Sequence, residues 1–74
     1  MNFDNIPKII VDDKEYLFNP FAGKIEGEWI EGYTSLEFLN ANFKNFTKVD
    51  DCKNATNSEG LKLYFDYLKD NKWI

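Results

Sequence analysis

Thr34-Ser35-Leu36-Glu37, followed by Phe38-Leu39-Asn40-Ala41-Asn42-Phe43, decides how this chain is parsed. A threonine oxygen accepts hydrogen bonds from early helix amides, and a glutamate three residues on reaches back to the threonine amide. Leu36, Leu39, Phe43 and Phe46 then fall at helical spacing and form one apolar stripe. The spacing predicts a helix over about residues 35–46. Everything before this point reads as sheet, and everything after it as loop and helix.

Working towards the N-terminus, Lys24 to Glu31 alternates. Ile25, Gly27 and Trp29 fall on one face, and Lys24, Glu26 and Glu28 on the other. This pattern predicts a strand ending near Gly32. Asn19-Pro20-Phe21-Ala22-Gly23 carries turn chemistry ahead of it. Lys8–Val11 and Glu15–Phe18 read as two strands around the polar reversal Asp12-Asp13-Lys14. Ile9 and Val11 share a face with Ile10 opposite, and Tyr16 and Phe18 oppose Leu17. Neither strand is apolar on one side only, which suggests a sheet covered on both faces, in one version by a second subunit. Residues 1–7 read as a short arm.

Working towards the C-terminus, Lys48 to Asn57 is polar and reads as a loop. Thr56 and Glu59 offer a second capping box. Leu61, Tyr64, Phe65 and Leu68 keep helical spacing, with Leu63 and Tyr67 off the stripe. Gly60 weakens the first turn of that helix. The expected fold is α+β over a single domain spanning 1–74: a three-stranded antiparallel meander followed by two helices packed on one face.

Composition narrows the chemistry. The 74 residues include seven Phe, four Tyr and two Trp but no histidine. Rings bury much area per residue and suit a small core. Without histidine the chain lacks the commonest general base and metal ligand. Cys52 is the lone cysteine, so no internal disulfide forms and no zinc site of the usual kind is expected. Asp50 and Asp51 beside it work against a reactive thiolate. Asp50 to Leu61 follows a calcium loop only loosely, because Ala55 stands at the required glycine and Leu61 at the required acid. Ser35 and Ser58 have no base and fit helix starts. Asn45-Phe46-Thr47 and Asn54-Ala55-Thr56 match the glycosylation pattern by chance. No cofactor is expected.

Net charge is −4. That disfavours direct nucleic-acid binding, and no basic stripe accompanies the aromatics. No apolar run reaches membrane-spanning length, and Met1-Asn2-Phe3-Asp4 lacks the features of a secretory signal, so a cytoplasmic setting is expected.

The leading expectation is a non-catalytic module that binds a protein partner or a second copy of itself as a homodimer. Tyr67, Trp73 and Trp29 are its candidate contact residues, because aromatics dominate interfaces. The alternative is a small acidic inhibitor, of the kind mobile elements such as phages encode, that imitates nucleic acid. Glu26 and Glu28 on one strand face would stand about 6.5–7 Å apart, near the spacing of phosphates along a strand. A carboxylate-only enzyme is the third and least favoured class, since a chain this small has little material for a cleft.

Overall fold

The computed structural model describes residues 3–25 and 29–74. Strand β1 is Lys8–Val11 and β2 is Lys14–Phe18. Asp12 and Asp13 join them with φ of 52° and 65°. Two successive left-handed residues make the tight hairpin turn whose twist matches the flanking strands, and aspartate tolerates that region better than most side chains. Lys14 is therefore the first residue of β2 and not part of the turn.

The segment after β2 departs from the expected third strand. Asn19 is fully buried. Its side-chain amide donates to Thr34 Oγ1 at 2.9 Å, and its Oδ1 accepts from the Phe21 amide at 2.8 Å. This pins the chain at Pro20, and Ala22–Lys24 winds into a short 3-10 turn instead of extending. Ile25 is buried beyond it. Extended structure among the described residues resumes at β3, Trp29–Ile30, and returns through Gly32 (φ +76°) to β4, Tyr33–Ser35.

Among the described residues the sheet consequently has four antiparallel strands in the order β1-β2-β4-β3, not three in sequence order. The α+β class stands; the meander is corrected. The cause lies in the stretch that opens the helix. Thr34 is a buried strand residue whose hydroxyl accepts from Asn19. The helix cap moves one residue on, to Ser35, whose Oγ accepts from the Phe38 amide at 3.0 Å.

Helix α1 runs Leu36–Phe43, shorter than expected at its C-terminal end. Leu39 and Phe43 are buried, while Phe46 reaches the core from the turn beyond the helix. The polar stretch expected as loop contains a 3-10 segment, Val49–Asn54. The Asp51 carboxylate accepts from the Thr47 and Lys48 amides and the Thr47 hydroxyl. These donors hold it below the usual carboxylate range, the Thr47 amide contributing most.

Helix α2 is Ser58–Asp70. Its cap is Asn57, in a left-handed conformation, and not Thr56. The stripe Leu61, Tyr64, Phe65 and Leu68 is fully buried, as its spacing predicts. The helix ends with Lys72 at φ 58° and the Trp73 amide donating to Leu68 O at 2.9 Å, a left-handed stop that folds the tail back.

The N-terminal arm is also part of the core. Phe3 and Ile6 are buried, and the Phe3 ring lies 6.1 Å from Phe43. Among the described residues no buried side-chain nitrogen or oxygen lacks a hydrogen-bond partner.

Candidate functional site

Strand register sorts the sheet residues onto two faces, because directly opposed residues in an antiparallel pair point the same way. Lys8 pairs Leu17, Ile10 pairs Glu15, Leu17 pairs Thr34 and Trp29 pairs Thr34. These residues form the inner face, against which α1 and the core pack. The outer face carries Ile9, Val11, Lys14, Tyr16, Phe18, Ile30, Tyr33 and Ser35 by the same register, Ser35 being fully buried where β4 runs into α1. Six of these eight are apolar or aromatic, and Lys14 is the only ionic group among them.

The six apolar side chains lie outside the group that packs into the core. All are half-buried except Val11, which is exposed. Phe18 and Tyr33 meet edge-to-face at 5.9 Å across β2 and β4. Aromatic cross-strand pairs of this kind stabilise a sheet, but they also leave a flat, ring-bearing surface. Its most open end is at Val11, which is 38% exposed.

A second feature lies on the inner side, beside the hairpin. Helix α1 covers β2 and β4 but stops short of β1. Ile10 is consequently 67% exposed. It forms an open groove of about 610 Å³ with Asp13, Lys14, Glu15, Leu36, Glu37 and Asn40. Lys8 and Glu15 are paired at 3.9 Å along its edge. None of its three carboxylates is buried.

The sequence-predicted contact residues are not gathered at either place. Tyr67 and Trp73 are half-buried, with rings 5.7 Å apart, and Tyr67 also meets Phe21 at 5.8 Å. Their contacts are those of a clamp holding the chain's end against the core. Trp29 is 42% exposed on the inner side of an edge strand and makes no ring contact among the described residues. Glu26 and Glu28 lie outside the described residues. Sequence reasoning missed Ile30 and Tyr33 as partners of Tyr16 and Phe18. The signal was Gly32, which closes a second hairpin, but the helix cap masked the strand after it.

Cys52 is fully buried, and burial followed by the nearby Asp51 charge pushes its thiol up to about 11. At neutral pH this leaves a thiolate population about a hundredfold below that of a free thiol. Ellman's reagent should therefore label native protein at least about a hundredfold more slowly than urea-unfolded protein. Comparable rates would show that Cys52 is open to solvent. The described residues contain no cluster of ligands able to hold a metal ion and no helix long and apolar enough to cross a membrane. No protein-family model, curated protein or solved structure matches this chain.

Proposed function

We propose that this chain is a non-catalytic protein-binding module that docks through the outer face of its sheet, with a second copy of itself as the occupant. The observation that carries this reading is the part-exposed surface of Ile9, Val11, Tyr16, Phe18, Ile30 and Tyr33, which lies outside the core cluster. Contiguous apolar surface of this kind marks interaction sites, and aromatic residues are enriched there. The chain carries net −4, yet among the described strand residues this face holds Lys14 as its only ion. Two copies can thus meet face to face with little like-charge repulsion. The groove argues against hydrolysis by carboxylates, because such chemistry needs one acid kept protonated by a desolvated setting.

Light scattering across a concentration series tests this. The expected result is a mass that rises to that of a dimer. Tyr16→Lys at the centre of the face, and Val11→Lys at its end, should return it to a monomer with thermal midpoints within a few degrees of the parent. A monomer at every concentration removes the second copy as occupant. A monomer that also binds no apolar dye removes the docking face altogether.

A further inference from the structure

We infer that the free edge of β1, together with the groove below it, accepts an extended basic peptide that adds to the sheet as a fifth strand. The site is separate from the outer face and does not depend on it.

The edge comes from the hairpin geometry. In a two-residue hairpin the closing pair, Val11 and Lys14, exchanges both backbone hydrogen bonds, and bonded and non-bonded pairs then alternate. Phe18 N–H donates to Pro7 O at 2.8 Å, which fixes the same alternation at the far end. Lys8 and Ile10 therefore turn their N–H and C=O groups away from β2. Among the described residues nothing pairs with them on that side. A strand edge with open donors and acceptors is a template for another strand.

The groove adds selectivity. The side chains of Lys8 and Ile10 point to the inner face, so an antiparallel strand opposite them would send alternate side chains to the same side. An apolar side chain opposite Ile10 would lie over Ile10 and Leu36. The next groove-side residue towards the hairpin would approach Asp13 and Glu37, neither of which has an ion pair among the described residues. Lys14 touches the groove, but its register places its side chain on the outer face. The charge on offer is negative, so the matching residue is arginine or lysine. The partner motif is a basic residue followed by apolar residues at alternate positions.

A fluorescein-labelled peptide Thr-Arg-Thr-Val-Thr-Val-Thr, capped at both ends, is the probe, titrated by anisotropy at low ionic strength. Saturable binding is expected. A twin with glutamate in place of arginine should bind about tenfold more weakly. N-methylation of the two valine amides, which removes the donors facing Ile10 and Lys8 and leaves the protein unchanged, should cost at least about tenfold. The double variant Asp13→Lys, Glu37→Lys should reverse the preference between the twins. Amide chemical shifts should move most at Lys8 and Ile10. The inference is overturned if nothing saturates, if the twins bind equally, if N-methylation changes nothing, or if the shifts cluster at Tyr16 and Tyr33. Self-pairing of the edge, seen as concentration-dependent shifts at Lys8 and Ile10 that the peptide does not displace, overturns it as well.

Discussion

Replacing Gly60 with alanine will lower stability, although in most helix interiors the same change raises it by about 1 kcal/mol. Gly60 is buried in the first turn of α2, where the backbone of the 3-10 turn crosses it. A β-carbon there would stand 2.5 Å from Lys24 O, 2.6 Å from Ile25 Cγ1 and 2.8 Å from Lys24 C. Two of those atoms are backbone, so no rotamer change relieves the clash. Either α2 moves off the turn or Ile25 leaves its buried site. Overpacking of this kind costs about 2–3 kcal/mol. For a domain of this size that lowers the melting temperature by roughly 10–20 °C. Thermal denaturation followed by circular dichroism measures it. A midpoint equal to or above the parent's would mean that α2 does not rest on Lys24 and Ile25. Gly23 supplies the control, since a β-carbon there meets nothing within 4 Å.

Gly60 also marks the limit of what the sequence discloses. Read locally, it is a weak residue in the first turn of a helix. Only the crossing of Ala22–Lys24, about 36 positions earlier, gives it a purpose. The same division runs through the rest of the fold. The stripe Leu61, Tyr64, Phe65 and Leu68 was legible because helical spacing is a local property. The β1–β2 hairpin was legible because a polar reversal at Asp12-Asp13-Lys14 sits between runs rich in β-branched and aromatic residues. Strand β4 was not, since its three residues overlap the signal that opens α1, and a strand that short has no period of its own. The burial of Phe3 and Ile6 was hidden for a different reason. A seven-residue arm carries no pattern, and only the Phe43 ring gives Phe3 a place to pack. The outer face was half visible: parity put Ile9 with Val11 and Tyr16 with Phe18, but adding Ile30 and Tyr33 required the register between strands. The Ile10 groove was out of reach, because it arises from where α1 stops.

Phe43→Ala will have a larger effect still. Phe43 closes α1 and is fully buried. Its ring lies 5.3 Å from Phe46, 5.9 Å from Phe65, and 6.1 Å from both Phe3 and Tyr64. It therefore joins the N-terminal arm, the end of α1 and the middle of α2, with no disulfide to hold them should it go. Truncating a buried phenylalanine costs about 3–5 kcal/mol, the lost transfer energy adding to the cavity left behind. By ordinary per-residue values a chain of 74 residues holds about 4–11 kcal/mol in all. The variant should thus be partly or wholly unfolded at 25 °C, with weak near-ultraviolet circular dichroism and little folded baseline in urea. Phe46→Ala, at a half-buried ring in the turn after α1, should cost about half as much and keep a cooperative transition. The ordering of the two is the decisive measurement. If Phe46→Ala proves the more damaging, the centre of the core lies beyond α1, and the arm that Phe3 ties to Phe43 contributes little to holding the sheet against the helices.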